Sequence, residues 1–336
     1  MRTPRIEIDL RKITDNTRKT IELYRTKGIE IAGVLKGVAG DFECAKAMVS
    51  GGIIMVCDSN VDHLLKLRQG GIDAQLMLIR TPALSEVDRV IEGVDISLNT
   101  ELAVIKKLSE VAKQKGKPHK ILLMVEMGDR REGIDPEDLP GFIERILDLP
   151  NIELVGIGAN FACMTHLPPD ESTMRRFCDL ADQIEQRFKL HLTYVSGGNS
   201  ANYHWFNDTK DVGKINHLRL GESILVGVEA IHKDPIPGLV ADAFILVCEI
   251  IEKKEKQSTD GKINQAIVNI GYIDTKIEDL DPLRDVEILG SSSNHLVIDL
   301  KKENLDVGDE IRFSMRYFAV VGCMTTQAVA KEYIHR

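Results

Sequence analysis

Lysine is an odd residue on which to close an apolar strand, and the run Ala32-Gly-Val-Leu-Lys36 does so. The bland explanation is an alkyl stem that carries its ammonium out to solvent. The chemical one is an amine kept for covalent work. Two other segments have an unusual composition. Val195-Ser-Gly-Gly-Asn-Ser200 is a small-residue turn that leads into a helix, and Leu220-Gly221-Glu222 is a second tight turn. Backbone N–H groups at such places hold phosphate, although glycines at either one alone would also be explained by the turn itself. Around them lie Val125-Glu-Met-Gly-Asp-Arg-Arg-Glu-Gly133, Asn160 and Arg219, polar groups that follow or interrupt apolar runs.

The elements that must position these residues alternate regularly. Short apolar runs occur at Glu30–Leu35, Ile53–Cys57, Gln75–Ile79, Asp95–Leu98, Ile121–Glu126, Glu153–Ala159, Leu192–Ser196 and His217–Leu220. Helical patterns lie between them. Thr100–Lys115 puts Leu102, Ile105, Leu108, Val111 and Ala112 on one stripe, and Asp170–Leu190 does the same with Met174, Phe177, Leu180, Ile184 and Phe188. The runs are apolar on both faces, as strands of a helix-covered parallel sheet should be. Eight strand–helix units predict an α/β fold of the (β/α)8 TIM-barrel type. The alternative, an open doubly wound sheet, would show a G-x-G-x-x-G turn after its first strand, and none follows Leu35. In such barrels chemistry sits at the C-terminal ends of the strands. Lys36 and both phosphate-type turns fall there. Together they favour a phosphorylated cofactor that also requires an amine, a description that pyridoxal 5'-phosphate satisfies.

Beyond the linker Asp234-Pro-Ile-Pro-Gly238 the chain reads as strands without long helices: Ala243–Glu252, Gln265–Ile270, Val286–Leu289, His295–Leu300 and Glu310–Phe313. Polar Lys253–Lys262 reads as a hairpin tip, and the opening strand Arg5–Asp9 could join either part. The expected organisation is a barrel over 10–233 and a mainly β domain from 1–9 and 234–336. The 336 residues are 43% hydrophobic, enough for a large core, and 43 Lys+Arg against 52 Asp+Glu leave a charge of -9. That balance and the absence of basic runs speak against nucleic-acid or membrane partners. No apolar run approaches a membrane span, Ala243–Cys248 being typical, and MRTPRIEIDL has no secretory signal region. Six scattered cysteines without a CxxC pair suggest reduced thiols in a cytoplasmic protein and offer no zinc-ligand spacing.

Several segments in this order and spacing carry a resemblance. They are Pro4-Arg-Ile-Glu-Ile-Asp-Leu10, Ala32-Gly-Val-Leu-Lys36, Val125-Glu-Met-Gly-Asp-Arg-Arg-Glu-Gly-Ile134, Gly158-Ala-Asn-Phe-Ala-Cys163, Val195-Ser-Gly-Gly-Asn-Ser200, Leu218-Arg-Leu-Gly-Glu-Ser-Ile-Leu-Val-Gly227 and Leu289-Gly-Ser-Ser-Ser-Asn-His-Leu296. The chain resembles the alanine racemase-like family of fold-type III pyridoxal phosphate enzymes, and within it the ornithine racemase branch. The resemblance implies a homodimer with shared active sites that interconverts L and D amino acids, most readily ornithine. Lys36 matches the lysine that carries the cofactor as a Schiff base. Arg219 matches the arginine at the pyridine nitrogen. Ser196, Ser200, Gly221 and Glu222 match segments on the phosphate, and Tyr317 aligns loosely with a further phosphate ligand, with a core strand aromatic as its bland alternative. Asn160 sits where alanine racemases stack a histidine on the ring. Arg131 matches the arginine near the substrate carboxylate; a surface ion pair with Asp129 or Glu132 would be its bland alternative. Tyr272, in Asn269-Ile-Gly-Tyr-Ile-Asp274, matches the second catalytic base, given by the partner subunit, and Ser293 and Asn294 match the loop beside it.

The chain also departs from the pattern. Gly40 replaces a tyrosine used on the phosphate, and Met124 replaces a lysine that is modified in some members. Both changes favour ornithine over alanine. The implied chemistry is proton removal from Cα on one face and return on the other, with Lys36 and Tyr272 as the two bases, each titrating below its free value of about 10. An arginine at the pyridine nitrogen only donates, so the nitrogen stays neutral and racemisation is favoured over transamination. Asp129 and Glu132 could meet a distal substrate ammonium. Competing readings are weaker. A non-catalytic pyridoxal phosphate carrier would have the barrel alone, a decarboxylase would have an acid beside Cys323, and a metal-dependent D-amino-acid aldolase would need more C-terminal ligands than His335. An alanine, lysine or serine racemase is the nearest alternative.

Overall fold

A computed structural model describes residues 2–258 and 261–334, so His335 lies outside the described residues. The chain divides into two compact units. One holds Thr14–Lys36 and Gly40–Leu239; the other holds the residues through Ile13, Gly37–Ala39 and the chain from Val240 onward.

The first unit contains a closed parallel barrel. Counting β1 (Arg5–Asp9) in the other unit, its strands are β2 (Glu30–Val34), β3 (Met55–Asp58), β4 (Gln75–Leu78), β5 (Ile96–Asn99), β6 (His119–Val125), β7 (Ile152–Ala159), β8 (Tyr194–Ser196) and β9 (His217–Leu220). These are the eight expected strands. The pairing Glu30↔His217 to Gly33↔Leu220 joins the last strand to the first, which excludes the open sheet. The ladders differ in length. β6 and β7 share seven rungs, whereas β8 and β9 share the single rung Ser196↔His217, continued by backbone bonds from Asn216 N–H to Val195, Gly197 N–H to His217 and Arg219 N–H to Gly198.

Strand period sets the inside of the barrel. Ala32, Val34, Met55, Cys57, Met77, Leu98, Leu122 and Met124 form the buried interior cluster. Alternate residues share a face, so the same parity carries the chain from Ala32 and Val34 to Lys36 at the C-terminal rim. Outside, Leu102–Lys115 buries Ile105, Leu108, Val111 and Ala112, and Glu171–Phe188 buries Met174, Phe177, Leu180 and Ile184. Asp170 caps the second helix by accepting the Thr173 N–H, and Gly116 closes the first in the left-handed region.

The second unit is one eight-stranded sheet. Beyond β1 it contains β10 (Phe244–Ser258), β11 (Gly261–Val268), β12 (Leu280–Pro282), β13 (Glu287–Ser291), β14 (Leu296–Asp299), β15 (Glu310–Met315) and β16 (Ala330–Ile334). β1 lies between β10 and β16, which assigns the opening strand. Lys253–Lys262 is the outer part of a hairpin, in which β10 and β11 pair from Lys253↔Ala266 out to Ser258↔Gly261. One expectation needs correction. The bland alternative for Tyr317, a core strand aromatic, does not hold: Tyr317 opens the helix Tyr317–Thr325.

Glycine is required at Gly37 for a steric reason. A Cβ there would lie 2.6 Å from the Tyr317 ring and 2.8 Å from its hydroxyl. Gly37→Ala should therefore cost about 1–3 kcal/mol, the usual effect of overpacking, read as a lower urea midpoint. An unchanged midpoint would mean that the ring moves freely aside.

Candidate active site

Lys36 lies directly after β2, in a short 3-10 turn, with its side chain exposed. Arg219, on β9 in register with Ala32, is its opposite in environment: only 4% exposed and directed into the barrel. Its guanidinium donates to the Ala159 carbonyl at 2.8 Å, to Asn160 Oδ1 at 2.8 Å, to the Ser196 carbonyl at 3.3 Å and to Ser196 Oγ. Among the described residues no carboxylate hydrogen-bonds to it. Burial, against the smaller pull of the Glu132 carboxylate, pushes its pKa down to about 10.

The expected residues from β6 to β9 form one hydrogen-bonded chain. Arg131 forks onto Glu132, with Nη2 donating to Oε1 at 2.6 Å and Nε to Oε2. Asn160 Nδ2 donates to the same Glu132 Oε1 at 2.9 Å, and its Oδ1 accepts from Arg219. Ser196 Oγ accepts from Arg219, which leaves its one hydrogen for His217 Nδ1, 2.7 Å away. The Glu132 pair of Arg131 is the ion pair entertained as its bland alternative, yet Glu132 also ties it to Asn160 and so into the barrel mouth. Glu132 and His217 were missed as members of this chain. The available signal was parity: His217 and Arg219 are alternate residues of one strand, so both point inward.

His217 is fully buried. Burial, then the Arg219 cation, push its pKa down to about 3; burial likewise lowers His119 to about 4. Both imidazoles are neutral in the folded chain, while the unfolded chain binds protons near pH 6.5. The folded values are depressed, so their contribution to stability is complete above about 6.5 and is lost as pH falls toward the folded values. His217→Gln should flatten this acid limb by up to about 1.4 kcal/mol per pH unit. Urea midpoints measured between pH 7 and pH 5 with an unaltered slope would sink this assignment.

Turn residues join the last two strands. Ser200 opens a 3-10 turn, Asn199 caps it by accepting the Ala201 N–H, and Ser200 Oγ accepts the Ser223 N–H at 3.3 Å. Gly221 and Glu222 begin the helix segment Glu222–Val226, and Glu222 pairs with Lys233 at 2.7 Å. A Cβ on Gly221 would stand 3.0 Å from the Val34 carbonyl, so this backbone approaches β2 closely. The Ser223 hydroxyl is fully buried and has no hydrogen-bond partner among the described residues. Gly40, at φ +66°, has His63 Cβ 2.4 Å from where its own Cβ would be, so no tyrosine fits there.

In the sheet unit, Tyr272 is 52% exposed and its hydroxyl donates to Glu278 at 2.8 Å. That bond raises the phenol above its ordinary value, the wrong direction for a base. The loop with Ser293 and Asn294 lies beside it as expected: Tyr272 N–H donates to the Ser292 carbonyl and Ile273 N–H to that of Ser293. Elsewhere, His204, Glu229 and Asp234 approach one another, but both Glu229 oxygens already accept backbone N–H groups.

The profile of the family described as alanine racemase, N-terminal domain, matches residues 8–229. The ornithine racemase of Acetoanaerobium sticklandii is 36% identical over 98% of this chain and 99% of its own length. The lysine racemase of Thermotoga maritima is 31% identical over 98% of each. Among solved structures, the alanine racemase of Bacillus anthracis with bound L-Ala-P superposes with a TM-score of 0.80 at 18% identity, covering 100% of this chain and 96% of that one. A D-threonine aldolase from Filomicrobium marinum superposes with a TM-score of 0.77 at 16% identity, covering 96% and 89%, so these likenesses speak for the fold alone.

Proposed function

This chain belongs to the alanine racemase N-terminal domain family and is an amino-acid racemase; from that premise we propose that it uses pyridoxal 5'-phosphate to interconvert L- and D-ornithine. The observation that carries the cofactor reading is the pairing of a rim lysine, Lys36, with a buried guanidinium, Arg219, that has only neutral acceptors. The donor set fits this group. Ser200, the backbone of Gly221 and Glu222, and the orphaned Ser223 hydroxyl would take the phosphate. By the resemblance, Tyr317 would add a donor. Ser196 is sealed between Arg219 and His217, so its part is to orient Arg219 and not to touch phosphate. Arg219 would serve the ring nitrogen as a donor, with Asn160 holding the guanidinium in place.

When bound, the cofactor withdraws electrons from the Cα–H bond of the amino acid. Lys36 anchors it and, once released as an amine, moves the proton on one face. Tyr272 moves it on the other, and Arg131 holds the substrate carboxylate. Tyr272 bonded to Glu278 is not yet a base, so a second subunit must change its surroundings. The exposed side chains of Tyr272, Ile273 (67%) and Phe318 (52%) support a homodimer in which Ser293 and Asn294 also reach the site. Six free cysteines support a reducing, cytoplasmic setting, and no described helix is long and apolar enough to cross a membrane. The test is a panel of single L-amino acids with chiral analysis of the product. Ornithine should give the highest kcat/KM, lysine the next; preference for alanine or serine would refute the substrate, and no turnover of any member would refute the reading.

A further inference from the structure

We propose that Asp129 is the specificity-determining residue of this site and binds the distal ammonium of a dibasic amino acid. The proposal rests on the racemase reading above and names the chemistry by which the substrate is chosen.

Asp129 belongs to the loop that follows β6 at the C-terminal end of the barrel. The base of that loop is tied down twice: Glu126 N–H donates to the Ile134 carbonyl at 3.0 Å, and Ile134 N–H to that of Met124 at 2.9 Å. The Glu126 carboxylate then accepts the Gly128 N–H at 2.5 Å and the Arg130 N–H at 3.1 Å. Asp129 is thus carried on a fixed backbone, and its side chain is 3% exposed. One oxygen, Oδ1, accepts the Met164 N–H at 2.9 Å from the loop after β7. The other, Oδ2, is buried and receives no hydrogen bond among the described residues. Arg131 Nε stands 3.8 Å from it, an ion pair without a hydrogen bond, because that guanidinium is forked onto Glu132.

A buried carboxylate oxygen with no donor is costly, and proteins rarely leave one so. The missing donor can arrive with the substrate. It should be a cation, since the partner is a carboxylate. An ammonium suits it better than a guanidinium: a two-pronged guanidinium would have to share Oδ1 with the Met164 N–H, whereas an ammonium needs Oδ2 alone. An ammonium can direct a single N–H to Oδ2. Arg131 links this oxygen to the reaction centre: it stands 3.8 Å from Oδ2, and the Glu132 carboxylate that it grips also accepts from Asn160, which in turn accepts from Arg219.

The experiment compares ornithine with norvaline, which has the same carbon chain without the ammonium, in the cofactor-loaded enzyme and in its Asp129→Asn variant. Asparagine keeps the oxygen that Met164 uses and removes the charge. The variant should lose about 100-fold in kcat/KM for ornithine, mainly through KM, the effect of removing a charge-assisted bond, and should change less than about threefold for norvaline. In the unaltered enzyme, lysine should exceed arginine by at least about tenfold, a comparison that does not depend on the variant folding. Equal losses for ornithine and norvaline would overturn the proposal, as would unchanged ornithine turnover or arginine handled as well as lysine. An enzyme that racemises norvaline but prefers no dibasic substrate would refute Asp129 alone and leave the racemase standing; one that racemises nothing would refute both.

Discussion

Lys36→Ala should abolish racemisation, with kcat falling by at least about three orders of magnitude. Two losses combine. The covalent anchor disappears, and so does the amine that moves a proton, a contribution of roughly 100- to 10,000-fold by itself. The fold should survive, because the side chain is exposed at the rim and packs into no core. The variant should keep the urea midpoint of the cofactor-free parent and lose the absorption at the edge of the visible that borohydride removes from the loaded enzyme. Retention of that absorption in the variant would disprove the anchor.

Arg219→Glu should change the reaction itself. An arginine at the ring nitrogen cannot accept a proton, and here its environment allows only donation: every hydrogen bond described for its side chain goes to an oxygen. A glutamate in that place faces the Ala159 carbonyl and Ser196, both acceptors toward it, and must hold a proton or share one with the ring. Stability should fall by about 3 kcal/mol or more, as when a buried charge network is broken. In the fraction that folds, the ratio of transamination to racemisation should rise at least about tenfold. A ratio is read per active molecule, so poor folding does not mask it. An unchanged ratio would show that Arg219 is structural only.

The barrel was legible because each strand is apolar on both faces, and a run such as Gln75–Ile79 has no other use. Strand ends were displaced by a residue or two where Ile53 and Leu192 continued the apolar pattern ahead of the ladder. The helix at Tyr317 was hidden by Ala-Val-Val, residues that read as strand until tertiary packing overrides them. The short strands Leu280–Pro282 and Ala330–Ile334 have too few residues to show a period. Within the site, strand-end positions such as Lys36 and Arg219 were visible because polar residues interrupt an apolar alternation. Asp129 was visible only as an acid in a loop. That one of its oxygens is occupied and the other empty depends on Met164, thirty-five residues away, which no spacing rule anticipates.

The seam between β8 and β9 has the shortest ladder of the barrel, one rung at Ser196↔His217, and loop backbone completes it. Arg219, on the β9 side, already laces across it to Ser196, and Ser200 laces back to Ser223. Under the proposed function, a phosphate held by Ser200 on one side and by Gly221 on the other would act as a clasp across the same seam. Binding energy would then add to folding energy by mass action. A protein so built would be harder to unfold where its cofactor is plentiful than where it is scarce.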